Sequence, residues 1–282
     1  KDTYTKLESS MSKDGLKVLA CAYKEVKDNN HDENQLIFVG LVGLKDPVRD
    51  NIKSSILECK SAGIRIVMLT GDNLITAYTI AKEVGICNNE EECINASNLN
   101  NLDSDKLVEY CKKYSVFARV SPENKLQIVK AFQKTGKVVA MTGDGVNDAP
   151  AIKLANVGIG MGVSGTDVTK DTSDIILLDD SFHTITVAIK EGRRIYDNVI
   201  TNILYNLSSN FTEIAIIIFG MLTGNTIISA IHVLYIDLVA DTLPSIMLAF
   251  EGASLDVMKR KPNGLNKRIF TPFFSAFLII SV

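Results

Sequence analysis

Along residues 1–195 short apolar runs alternate with longer stretches where apolar residues recur every three or four positions. The short runs fall at 16–22, 36–42, 64–69, 116–118, 138–141, 157–161 and 175–178. Their length and β-branched content predict strands. Helices are predicted between several of them, over 51–62, 74–84, 105–113, 122–135 and 149–155. Strand, crossover helix and parallel strand imply an α/β doubly wound sheet, with ligands expected beyond the carboxyl ends of the strands. The pattern then changes. Residues 200–222 and 227–250 are two mainly apolar runs of about the ~20 residues a membrane helix needs, and a third begins at 271. A long helix starting near 181–191 leads into the first. The expected fold class is therefore α/β doubly wound, followed by α-helical transmembrane segments.

Composition narrows the picture only where it departs from the average. The net charge is -3, and no arginine-rich arm or aromatic-basic stripe is present, so no nucleic-acid partner is expected. Five cysteines without a C-x-x-C read as reduced thiols of a cytosolic compartment. The first residues, Lys1-Asp2-Thr3-Tyr4, are neither a start methionine nor a signal peptide, so the chain reads as starting partway through a longer polypeptide.

Two of the expected strands end alike. After 64–69 comes Thr70-Gly71-Asp72-Asn73, and after 138–141 comes Thr142-Gly143-Asp144-Gly145-Val146-Asn147-Asp148. Between them Lys125 sits in a helical stretch behind Arg119 and Pro122. A single T-G-D is a common strand-to-turn device, and a single lysine is usually a surface lysine. Together they suit phosphoryl transfer. Glycine lets backbone N–H groups approach phosphate oxygens, threonine adds a hydroxyl donor, and lysine supplies compact positive charge. A carboxylate on such a turn can hold Mg2+ together with substrate oxygens. Asp144 is the expected metal ligand. Asn147 is expected to donate to phosphate, and Asp148 to orient the groups around it.

The apolar runs carry their own chemistry. Ionisable groups inside a bilayer are expensive and usually mark an ion path. A soluble core would gain nothing from Glu213, Asp237 and Asp241. Asn210 and Glu213 are spaced i, i+3, and Asp237 and Asp241 i, i+4, so each pair shares a helix face. Pro244 is expected to interrupt the second helix and free carbonyls that also coordinate. Carboxylates, an amide and carbonyls form a hard oxygen cage, suited to Ca2+ or another hard cation. Lys190, Arg193 and Arg194 precede the first run, and Lys259, Arg260, Lys261, Lys267 and Arg268 follow the second. That side is expected to be cytoplasmic.

The stretch TGDGVNDAP resembles the hinge motif of P-type ATPases, cation pumps whose phosphorylation domain has a haloacid-dehalogenase-like fold. The resemblance extends along the chain. GLKVLACAY at 15–23 is similar to the return from the nucleotide-binding domain, and LVGLKDPVR at 41–49 to the D-P-P-R region, with Val48 in place of the second proline. MLTGDN at 68–73 and FARVSPENK at 117–125 match the next two blocks. The resemblance implies ATP and Mg2+ as cofactors. Lys17 and Arg119 would contact nucleotide. Thr70, Gly71, Lys125 and Asn147 would contact the phosphoryl group, beside Asp72 on the same turn. Asp144 would bind Mg2+, and Asp148 would support the phosphorylated aspartate. It also implies a division into the end of a nucleotide-binding domain and its return hinge (1–35), the C-terminal part of a phosphorylation domain (36–185), and the fifth, sixth and start of the seventh membrane helices (186–282).

One departure is decisive. The nucleophile of the family is the aspartate of D-K-T-G-T, and no such stretch occurs here. The expectation is the C-terminal portion of a pump, inactive alone, whose partner is the missing N-terminal part of the same polypeptide. Asn210-x-x-Glu213 is similar to calcium pumps and sodium/potassium pumps alike. Calcium pumps usually carry N-L-V-T-D in the sixth helix. Asp237-Leu238-Val239-Ala240-Asp241 begins more like sodium/potassium and proton/potassium pumps. Ca2+ is the favoured ion, with Na+/K+ the alternative and H+ a further counter-ion. Two readings from other classes are a soluble Mg2+-dependent phosphatase of the dehalogenase type, which would need its own nucleophile and no membrane runs, and a non-catalytic binding module.

Overall fold

A computed structural model describes residues 2–25, 34, 36–45, 47–49, 51–99 and 102–262. The third apolar run from 271, Lys267, Arg268 and Asp46 lie outside the described residues. The chain divides into two units, Lys1–Thr184 and Ile185–Val282.

The first unit opens with helix α1 (Asp2–Lys13), which the apolar pattern did not predict, and an antiparallel hairpin of β1 (Lys17–Tyr23) and β2 (Ile37–Leu44). The α/β part that follows is hydrogen-bonded as two parallel three-stranded pieces. In the first, β5 (Val116–Ala118) lies between β3 (Met68–Leu69) and β4 (Cys93–Asn95). In the second, β6 (Ala140–Gly143), β7 (Val157–Met161) and β8 (Ile175–Leu177) follow in chain order. Strand β4 was missed because Cys93-Ile94-Asn95 is three residues long, too short to show a period.

The helices start and stop where local chemistry says they should. Helix α3 (Leu74–Val84) is capped by Asn73, whose side chain accepts from the Thr76 N–H, and closed by Gly85 at φ 84°. Helix α5 (Pro122–Lys134) starts with a Ser121–Asn124 capping box and proline at its first position. Its two inner faces serve two cores. Ile128 and Ala131 pack with Phe117, Leu99 and Leu107, the last on α4 (Ser104–Lys113). Val129 and Leu126 pack with Met141, Ile152 and Leu69. The residues just before both T-G-D turns, Leu69 and Met141, thus meet in one cluster on α5. Helices α2 (Ile52–Ser61), α6 (Ala149–Leu154) and α7 (Asp167–Thr172) complete the unit; α7 is a single short turn without periodicity and was not predicted.

A loop clamp lies near the end of the first unit. Asp180, in the left-handed region at φ 51°, accepts from the Val163 and Ser164 N–H groups at 3.0 and 2.7 Å, and its carbonyl accepts from Arg49.

The second unit holds all but the first three residues of α8 (Phe182–Thr223), 42 residues and thus about 63 Å long. It is followed by α9 (Ala230–Tyr235), a wide π turn over Ile236–Asp241, and α10 (Thr242–Ala249). Phe182–Thr223 and Ala230–Ala249 are long and apolar enough to cross a membrane. Only 11% and 6% of their most apolar windows are buried. Phe219, Met221, Leu222, Ile231 and Met247 stand exposed. Helices of a soluble core would be covered by their own unit; these require an apolar surrounding from elsewhere. Pro244 does interrupt the regular α-helix, through a π turn and not a break. It sits in the first turn of α10, and the irregularity falls before it. Its ring excludes the carbonyl four residues back, and the π turn at 236–241 absorbs that misfit.

The backbone donors of Val163 and Ser164 hold the Asp180 carboxyl down to about 2, from an ordinary 3.8. A depressed carboxylate contributes stability that is present above its unfolded value and lost as pH falls through the folded one. Asp180→Ala is therefore expected to lower the melting temperature at pH 7, with the gap to wild type narrowing as the pH drops from about 4 towards 2. Thermal unfolding across that range checks it; a gap that does not change with pH would refute the account.

Candidate functional site

Two sets of polar residues stand apart from the packing, one in each unit. In the first unit, the turn after β3 is bound to the loop after β5. Thr70 N–H donates to Phe117 O, Val120 N–H to Thr70 O, and Arg119 N–H to Asp72 O, each at 3.0 Å. Within the turn the Thr70 hydroxyl donates to Asp72 Oδ2 at 2.9 Å and accepts from the Asp72 N–H at 3.1 Å. Gly71 is exposed with nothing within 4 Å of where a Cβ would lie, so its backbone is open to a ligand.

The second T-G-D begins inside β6, so Asp144 is the first residue off the strand. Its carbonyl accepts from Thr166 N–H at 3.0 Å and the Thr169 hydroxyl at 3.3 Å, which fixes the turn while the side chain remains exposed. Asn147 is exposed on the same turn, and Asp148 is buried. A Cβ on Gly143 would lie 2.5 Å from Asp148 Cβ and 2.8 Å from a carboxylate oxygen. Only glycine allows the turn to fold back this tightly. The Asp148 carboxylate is ion-paired with Lys125, an arrangement that the 23-residue separation concealed. Lys17 is exposed at the start of β1, and the preceding Leu16 carbonyl accepts from the Thr76 hydroxyl in the first turn of α3. The hairpin is thereby tied to the helix that leaves the Thr70 turn. Arg119 is exposed at φ 53°.

In the second unit, Asn210, Asp237 and Asp241 line one cleft of ≈ 480 Å³. Asp237 and Asp241 lie at the two ends of the π turn. Tyr205 donates its hydroxyl to Asp241 Oδ1 at 3.3 Å. Glu213 is not on the cleft wall, though it is near enough to Asp237 and Asp241 for their charges to act on it. It is buried, 8% exposed, and its Oε1 has no hydrogen-bond partner among the described residues. A buried carboxylate oxygen left bare is costly unless something joins it. The cleft is also lined by Asn202, Asn206, Thr242 and Ser245, which sequence reasoning did not assign. The signal was present: asparagines recur at 198, 202, 206 and 210, one helical turn apart.

The comparisons with known proteins agree with this geometry. Residues 12–156 match the haloacid dehalogenase-like hydrolase family, and residues 225–281 the cation transporting ATPase C-terminus. The chain is 46% identical to calcium-transporting ATPase 1 of Bacillus cereus over 93% of its own length and 30% of that protein. It is 46% identical to calcium-transporting ATPase 1 of Lactococcus lactis, over 96% of this chain and 31% of that protein. A potassium-transporting ATPase alpha chain 2 of Homo sapiens is 40% identical over 84% of this chain and 26% of its own length. The chain belongs to the P-type cation-transporting ATPases, within the haloacid dehalogenase-like hydrolases. It spans about a third of the length of the curated relatives it matches.

Within this P-type ATPase chain the Lys125–Asp148 pair is an enclosed charge contact, with side chains 17% and 11% exposed. Lys125→Met leaves the buried carboxylate without its cation, and is expected to destabilise the first unit by about 1–3 kcal/mol. Adding Asp148→Asn is expected to return part of that loss. Urea unfolding of the single and double variants measures it; strictly additive losses would show that the two side chains are not coupled.

Proposed function

We propose that the polypeptide carrying this chain is an ATP-driven cation pump that forms an aspartyl phosphate and moves Ca2+. The observation that carries the reading is the cleft where Asn210, Asp237 and Asp241 meet between two helices of membrane length. Hard oxygens set in apolar helices suit a hard cation in transit. The calcium-transporting relatives support the choice of ion. Asp237 together with the potassium-transporting relative favours Na+/K+ as the second reading.

In this reading residues 1–35 close a nucleotide-binding domain, 36–185 belong to the phosphorylation domain, and 186–282 to the membrane. Arg193 bonds the Val257 and Arg260 carbonyls and Arg194 the Glu251 carbonyl, so the basic residues collect at one end of the helices. That end is assigned to the cytoplasm.

The exposed Asp144 carboxylate fits Mg2+, which takes one or two protein carboxylates with phosphate and water. Bound there, the metal would neutralise charge on the transferring phosphoryl group. The side chains do the rest by position and charge. Asp148 holds the Lys125 ammonium in place to face the phosphoryl oxygens. Thr70 exchanges Asp72 for a phosphoryl oxygen as its acceptor, and Gly71 leaves its backbone N–H open to a second. Asn147 donates its amide, and Lys17 and Arg119 meet the nucleotide. The acceptor aspartate comes from outside these 282 residues, which alone are expected to form no acyl phosphate.

ATP hydrolysis by the whole polypeptide, titrated with Ca2+ and separately with Na+ plus K+, tests the reading. Micromolar Ca2+ is expected to activate it, and Asp237→Asn to preserve that activation. Asp144→Asn is expected to lower turnover by at least about a hundredfold. Dependence on Na+ and K+ that Asp237→Asn abolishes would replace the ion, and indifference to every cation would remove the pump.

A further inference from the structure

The polar lining of the membrane cleft extends well past its carboxylates. Asn210, Asn206 and Asn202 follow one face of α8, and Thr242, Ser245, Ile246 and Ala249 follow the facing side of α10. From Asn210 to Asn202 the strip is about 12 Å long. Asp237 and Asp241 lie at one end of it. One Ca2+ with ligands at about 2.4 Å occupies a sphere about 5 Å across, which leaves more than half of the strip unused.

The plain alternative is that these amides are interhelical glue. Asn198 shows what glue looks like here. It is buried, and its amide donates to the Ala249 and Glu251 carbonyls at 3.2 and 2.9 Å. Asn202 and Asn206 differ, because they line open space. Asn206 donates its amide to Asn202 Oδ1 at 2.8 Å, which turns its own Oδ1 towards Ser245, whose hydroxyl donates to it at 3.2 Å. These two neutral oxygens lie 3.2 Å apart, close to the ~3.4 Å between adjacent ligands at a right angle on one cation, and would both face it once the Ser245 proton turns aside. The ≈ 480 Å³ of the cleft has room for an ion and on the order of a dozen waters.

We propose that Asn206 and Ser245, with Asn202 beside them, form a second cation position, about one helical turn from Asp241 on the side of the basic cluster. It takes a hard cation that keeps most of its water. With neutral ligands it binds weakly and fills transiently, as a station between the basic end of the helices and the carboxylates. The inference rests on the pump reading.

The test is thiol labelling in membrane vesicles that carry the whole polypeptide, with a water-soluble cationic methanethiosulfonate. Asn202→Cys, Asn206→Cys and Ser245→Cys are compared with Phe219→Cys on the exposed apolar face of α8. Cys21 is replaced by serine; Cys59, Cys87, Cys93 and Cys111 are buried, and burial raises the Cys93 and Cys111 thiols to about 12 and 11, so they stay silent. The cleft positions are expected to react about tenfold faster than Phe219→Cys, because only a hydrated thiol ionises. Millimolar Ca2+, or Na+ if that is the ion, is expected to slow Asn202→Cys severalfold, because Asn206 and Ser245 are then still in place to hold the cation. Labelling of the cleft positions at the Phe219→Cys rate, or Asn202→Cys labelling that neither cation slows, overturns the proposal. ATP hydrolysis in the same vesicles is read separately: indifference to all cations there removes the pump reading, while the labelling rates still decide whether the cleft is wet and holds an ion.

Discussion

Lys125 and Asp148 form the contact on which the geometry of the first unit depends. Lys125 stands on α5, whose two inner faces pack into both cores. Asp148 closes the turn after β6, where Gly143 leaves no room for a side chain of its own. A carboxylate this enclosed needs a cation, and the helix that spans both sheet pieces supplies it. The pair therefore sets where the turn with Asp144 lies relative to the helix with Lys125. The Thr70 turn is bound to the Arg119 loop by backbone hydrogen bonds alone, and its hydroxyl is already engaged with Asp72. One loop is thus held by charge and the other by backbone.

The second unit solves a different problem. Its helices expose apolar side chains over their membrane-length windows and gather several of their polar groups on one cleft. A proline and a π turn meet at the carboxylates. The turn places Asp237 and Asp241 on one cleft without a break in the helix, so the backbone groups that a broken helix would bare in an apolar medium stay largely paired. Glu213, buried with an unpartnered oxygen, marks the point where the protein alone does not satisfy its own chemistry.

Much of this was legible in residue order. The strands at 116–118 and 157–161 and helix α3 matched their apolar runs to the residue, because buried parallel strands are continuously apolar and Asn73 and Gly85 punctuate the helix. The two T-G-D turns were legible because chemistry there is local, a few residues on a strand end. Strand β4 and helix α7 were not, since three and six residues carry no period. Pro244 was expected to interrupt its helix, and the interruption takes the form of a π turn and not a break, because proline disfavours the carbonyl four residues back and a wider turn removes the conflict.

Sequence by itself determined the order of elements, the family, and which residue types stand at strand ends and in apolar helices. These follow from local propensity and from the cost of placing charge among apolar residues. The tertiary structure decided the partners. It joined Lys125 to Asp148, bound the Thr70 turn to Arg119, buried Glu213 near Asp237 and Asp241, and brought Asn202, Asn206 and Ser245 to the cleft. Those are long-range contacts, set by how sheets and helices pack, and no spacing along the chain encodes them.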